Sequence, residues 1–144
     1  HNGLMEDAEG KLSKSRGERI TLEEVFDDCP PAALRFYLLS HHYREFTPYS
    51  PEGLLEACQE GERLGVNAVD CMIVDPTDPR DDEETAPLVS RFEEALDDDL
   101  DTPKALDVLR DLDIIAGNRL KNEGNLAPIS GMYSIFQCVL GVFS

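Results

Sequence analysis

Between residues 31 and 140 the apolar positions recur at spacings of three and four, the period of helices that bury one face. Pro31 suits a first helical turn, and Leu34, Leu38 and the aromatics around them predict a helix from Pro31 through Tyr43. Ser50-Pro51-Glu52 reads as an N-cap followed by proline, and Leu54, Leu55, Cys58, Leu64, Ala68 and Met72 carry an apolar stripe that predicts a long helix to about residue 74. Leu88, Val89, Phe92 and Leu96 predict a helix beginning at Ala86. Thr102-Pro103 predicts the cap of another, with Ala105, Leu106, Leu109, Leu112, Ile115 and Ala116 inward. A final helix is expected from Asn125 to Phe143, with Pro128 early and Gly131 and Gly141 as weak points. Upstream, Thr21-Leu22-Glu23-Glu24 has the form of a capping box and predicts a short helix ending before Cys29-Pro30-Pro31.

Two stretches break this rhythm. Residues 1–20 are rich in glycine, serine and charge and read as a strand or hairpin flanking a loop. Residues 75–84 hold two prolines and six acidic residues, which predicts an exposed, mobile linker. The expected fold is therefore mainly α, an antiparallel helical bundle preceded by a short β/loop segment. The expected division is 1–20, 21–74, 75–84 and 85–144.

Composition narrows the picture. The 144 residues suffice for one helical core, and no apolar run approaches the ~20 residues that span a bilayer, so a soluble, cytoplasmic protein without a membrane partner is expected. Cys29, Cys58, Cys71 and Cys138 are scattered, without a CxxC pair or a zinc-ligand offset, and are expected to be buried free thiols. His41 and His42 are adjacent and would point about 100° apart on a helix, so no metal site is assigned. The net charge of −17 is uneven: residues 1–44 hold 6 Lys+Arg against 8 Asp+Glu, and residues 45–144 hold 7 against 22. So acidic a bundle disfavours nucleic acid unless its few cations are clustered. It suits a basic protein partner better, and it also resembles adaptation to high salt.

The segment Gly10-Lys11-Leu12-Ser13-Lys14-Ser15-Arg16-Gly17 brackets three cations and two hydroxyls with glycines, a composition suited to folding closely around phosphate oxygens. Lys11-Leu12-Ser13-Lys14-Ser15 resembles the KMSKS signature of class I aminoacyl-tRNA synthetases with one Met-to-Leu change, which nearly conserves volume. His1-Asn2-Gly3 before it and Ile20-Thr21-Leu22 after it are similar to the cysteinyl branch. Pro31-Ala32-Ala33-Leu34-Arg35 resembles the Asp-Ala-Leu-Arg motif, and Phe92 through Leu106 resembles that branch's anticodon-binding bundle.

The resemblance implies the C-terminal, tRNA-binding part of a cysteine-tRNA ligase, with tRNA(Cys) as partner and ATP with magnesium as cofactor of the full enzyme. It casts Lys14 as the catalytic lysine stabilising charge on ATP phosphates, with Lys11, Ser13 and Ser15 shaping the phosphate-binding loop. Arg35 and Arg44 become candidate tRNA or interdomain contacts. Glu18 departs from the asparagine usual there and places an anion near the loop. There is no HIGH-type motif, no zinc-ligand set and no nucleotide-binding parallel sheet, so zinc is expected only in an N-terminal domain and this chain alone is not expected to activate cysteine. The start at His1, without methionine, is expected of a piece of a longer protein. A non-catalytic, synthetase-derived binding or regulatory module, and part of a mycothiol-pathway cysteine ligase, are the alternatives.

Overall fold

Ser50 is extended, at φ −138° and ψ 138°, and its hydroxyl accepts the amide of Gly53 at 2.9 Å with Pro51 next in line, so the chain turns into a helix where the Ser-Pro pair predicts it. This computed structural model describes residues 5–7, 10–11, 30–45, 47–48 and 50–143. The helix predicted from Thr21 lies outside them. In chain order the α-helices are α1 (Pro31–Leu39), α2 (Pro51–Met72), α3 (Ala86–Asp97), α4 (Thr102–Lys121) and α5 (Ala127–Leu140). Short strands β1 (Met5–Asp7), β2 (Gly10–Lys11) and β3 (Thr47–Pro48) form a sheet in the order β2-β1-β3. β1 runs antiparallel to β2, with Glu6 opposite Lys11, and parallel to β3, with Met5 opposite Thr47. Among the described residues no helix is long and apolar enough to cross a membrane.

The core lies where α4 and α5 meet α2 and α3. Leu106, Leu109 and Leu112 of α4, Ile129, Met132 and Phe136 of α5, and Leu64 and Cys71 of α2 are wholly buried, and the Phe92 and Phe136 rings meet edge to face at 4.6 Å. Burying each such side chain contributes about 1.5–3 kcal/mol relative to exposure. Most of the stripe residues read from the sequence turn inward, and the mainly helical expectation holds, but Leu38, Leu55 and Met72, expected on the inward faces, are exposed. Cys71 is buried, its thiol pushed up to about 11 first by desolvation and then by Asp70 and Asp113. Cys58 is half-buried, and Cys138 is exposed, contrary to expectation. Cys138 and Val139 sit just beyond the Met132-Phe136-Leu140 stripe, on the outer side of α5.

Helix boundaries differ from the pattern for local reasons. α1 stops at Leu39 rather than Tyr43 because the Tyr37 carbonyl, which would accept the next helical amide, is taken by the Ser40 hydroxyl at 2.7 Å and faces His41 Nδ1 at 2.9 Å. The cap of α4 is Asp101, one residue before Thr102; its carboxylate accepts the Lys104 amide at 3.1 Å. α5 ends at Gly141, whose φ of 61° is the left-handed conformation that glycine adopts cheaply.

The acidic segment 75–84 is anchored rather than free. The Ser130 hydroxyl donates to the Val74 carbonyl at 2.8 Å, the Thr77 amide donates to the Ala127 carbonyl at 3.1 Å, and the buried Thr85 hydroxyl donates to the Pro79 carbonyl at 2.6 Å. Pro79 opens a 3-10 turn, Pro79–Asp81, and is itself buried. Gly131 is no weak point: a Cβ there would collide with the Thr77 carbonyl oxygen, so its bare backbone lets the segment lie against α5.

Candidate functional site

Because α1 ends early, the next residues turn toward the α3–α4 junction. The Tyr43 hydroxyl and Arg44 Nη2 both donate to Asp99 Oδ1 at 2.7 Å, while Arg44 Nε donates to the Tyr43 oxygen at 2.8 Å. The Arg44 guanidinium also lies 5.3 Å from the Tyr43 ring centroid, and the His42 ring stacks on Tyr43 at 5.0 Å. These donors hold the Asp99 carboxyl below its ordinary range, the Tyr43 hydrogen bond first and the Arg44 charge after it.

Asp99 and Leu100 have φ values of 55° and 54°, a left-handed pair between two helices. Aspartate tolerates this conformation better than most residues, and here it turns the acidic run Asp97-Asp98-Asp99 away from a continuing helix. Lys104 answers that run, donating to Asp98 at 2.9 Å and bridging to Asp101 at 2.8 Å, and both contacts raise its pKa. Beside it lies a cavity of about 330 Å³ lined by Arg91, Glu94, Asp98, Lys104 and Asp107.

Arg35, grouped with Arg44 on sequence grounds, engages a different element. Its Nη1 donates to the Gly141 carbonyl at 3.0 Å, at the C-terminal end of α5, where a cation meets the negative end of the helix dipole. The two arginines thus serve opposite neighbours. Lys11 is placed in β2 by its backbone, whereas Ser13, Lys14 and Ser15 lie outside the described residues.

What the sequence does not reveal is how thoroughly the cations are used internally. Among the described residues every arginine except Arg35 has a carboxylate partner. Arg110 grips Glu60 with two bonds, 2.6 and 3.1 Å, and pulls its pKa down. Arg63 reaches Asp113, a carboxylate 7% exposed that also accepts from Asn67 at 2.9 Å. Arg119, only 13% exposed, holds Asp82, Glu84 and the Asn125 carbonyl. The Arg63–Asp113 and Arg110–Glu60 pairs and both carboxylate pairs of Arg119 join residues 35 to 50 positions apart, beyond any helical spacing that a sequence pattern could reveal. A phosphate would have to displace a carboxylate from each of them, which weakens electrostatic attraction to a polyanion. Among the described residues no group of three His, Cys, Asp or Glu side chains could hold a metal ion.

The chain has identifiable relatives. Residues 91–144, from within α3 to the end of the chain, match the family described as the DALR domain. Over 135 residues the chain is 39% identical to the cysteine-tRNA ligase of Geobacter sulfurreducens, covering 88% of this chain and 28% of that protein. It is 32% identical over 169 residues to the cysteine-tRNA ligase of Pelobacter propionicus, covering 100% of this chain and 34% of the relative. The cysteine-tRNA ligase of Thioalkalivibrio sulfidiphilus is 34% identical over 146 residues, with coverage of 100% and 30%. The chain therefore spans about a third of the length of the relatives it matches.

Proposed function

Because the chain belongs to the cysteinyl-tRNA synthetase family, we propose that it is the tRNA-binding, C-terminal part of a cysteine-tRNA ligase and that the ligation itself requires the remainder of such an enzyme. The observation that carries this reading is that the DALR match begins inside α3 and takes in all of α4 and α5, the helices that build the core. In this reading the helices run antiparallel, as in anticodon-binding bundles. Residues 1–20 are the remnant of a catalytic domain, 21–74 hold stem-contacting helices and the first bundle helix, 75–84 join the parts, and 85–144 contact the anticodon region of tRNA(Cys). Lys14 is the lysine expected to stabilise charge on ATP phosphates in the complete enzyme, with Lys11, Ser13 and Ser15 supporting the loop; magnesium would accompany the ATP, and zinc would belong to the remainder. A cytoplasmic location fits the same role.

The test is tRNA binding followed across a salt series. With nearly all the described arginines paired to carboxylates, two or three phosphate contacts are expected, which gives a log–log salt slope of about 2, far shallower than that of a basic RNA-binding module. Binding at low salt with that slope supports the reading. No binding even at low salt would reject it and favour the second reading, a regulatory module that recognises a basic protein. The acidity of residues 45–144 is the observation behind that alternative.

A further inference from the structure

We infer that Asp99 is a positioning residue, tying the α3–α4 turn to the three-stranded sheet in which Lys11 lies. The tie is a short relay. Asp99 Oδ1 accepts from both Tyr43 and Arg44. Arg44 precedes Thr47 by three positions, a reach of about 10 Å at most, and Thr47 opens β3. β3 pairs with β1, where Met5 faces Thr47, and β1 pairs with β2, where Glu6 faces Lys11. This carboxylate thus adds a side-chain tie on the Arg44 side of β3, whose other end runs through Ser50 into α2, and so bears on the orientation of the sheet that carries the first lysine of the Lys11–Ser15 motif.

Three features suit Asp99 to orientation rather than to holding the fold. The Arg44–Asp99 pair is solvent-exposed, with side chains 58% and 43% accessible, so it is weak and reversible. It is nevertheless geometrically specific, because Tyr43 and Arg44 converge on one oxygen and also bond to each other. Finally, the left-handed backbone at Asp99 and Leu100 is costly, and such conformations persist where the surroundings fix them. The meaning of this tie for aminoacylation rests on the ligase reading above, whereas the tie itself does not.

The strain offers a clean experiment on the whole chain. Asp99→Gly removes the carboxylate while making the left-handed backbone easier, so loss of folding is not the expected result. Residual dipolar couplings of Glu6, Asp7 and Lys11 amides would be compared with those of α4 and α5. In the unaltered chain the strand couplings should fit the alignment of the helices. In Asp99→Gly they should shift measurably away from that alignment while helix couplings and helicity stay unchanged, and Asp99→Asn, which keeps an acceptor, should restore them in part. Tyr43→Phe, lacking only a hydroxyl, should move the couplings in the same direction. Strand couplings unchanged in Asp99→Gly would overturn the inference, and so would loss of helicity in both Asp99→Gly and Tyr43→Phe, since the contact would then hold the fold. Failure of the chain to bind tRNA would refute the ligase reading and leave this result standing.

Discussion

Two connections flank α2, and they are fastened by different physics. The connection from α1, over residues 40–45, is fixed on the surface by Tyr43 and Arg44 against Asp99, whose charges remain in water. The connection to α3, residues 73–85, is fixed in the interior by the buried Pro79 and Thr85, by α5 backbone packed against Thr77, and by Arg119. Both use an arginine and an aspartate at 2.7 Å, yet screening by solvent makes the first pair weak while the desolvated second pair is costly to break. Contact distance alone does not rank interactions; burial does.

The strongest way to break this contrast is at Arg119. Its removal leaves Asp82 and Glu84 facing each other beside an unpaired Asn125 carbonyl, so Arg119→Ala should cost about 2–3 kcal/mol and lower Tm by roughly 6–10 °C in a circular-dichroism melt. An unchanged Tm would show that the interior connection is no firmer than the surface one.

Next in size is Gly131→Ala. The new methyl meets the Thr77 backbone, an overpacking cost of about 1–3 kcal/mol, offset in part by the ~1 kcal/mol that alanine gains over glycine in a helix, so a net loss of up to about 2 kcal/mol is expected in denaturant unfolding. A stabilised variant would mean that the segment does not rest on α5.

Acid sharpens the same comparison. Asp82 is held below its ordinary value of 3.8, by the Arg119 hydrogen bond first, so its stabilising contribution is complete above that value and is lost as pH falls through the lower native one. Stability measured by urea unfolding should therefore stay level as pH falls toward 3.8 as far as Asp82 is concerned, then decline. In Arg119→Ala that decline should be shallower. A decline of equal steepness in both proteins would detach Asp82 from Arg119.

The smallest effect is expected at the surface connection. Arg44→Ala should shift Tm by less than about 2 °C, and added salt should erase even that. A shift as large as that of Arg119→Ala would abolish the distinction.

The sequence made the helices legible because their information is local. The Ser50 cap, the proline-marked starts and the stripes through α2, α3 and α4 follow from hydrogen bonding and periodicity within one turn or two. Local reading missed wherever two local devices competed, as at Ser40 and His41, which end α1 early, and at Asp101, which caps α4 one residue ahead of Thr102. The candidate site was legible only as a set of residue types. That Arg35 reaches the end of α5 while Arg44 reaches the α3–α4 turn follows from contacts across 106 and 55 positions.

By itself, then, the sequence determined the kinds of elements, most of their inward faces and the family the chain resembles, because periodic burial and short motifs are written in neighbouring residues. Only the tertiary structure decided that an acidic, proline-bearing stretch would be anchored, that Gly131 is the clearance it needs, and that nearly every described arginine is already engaged. Those outcomes depend on which distant groups share a low-dielectric interior and which are left to water, and no spacing along the chain encodes that.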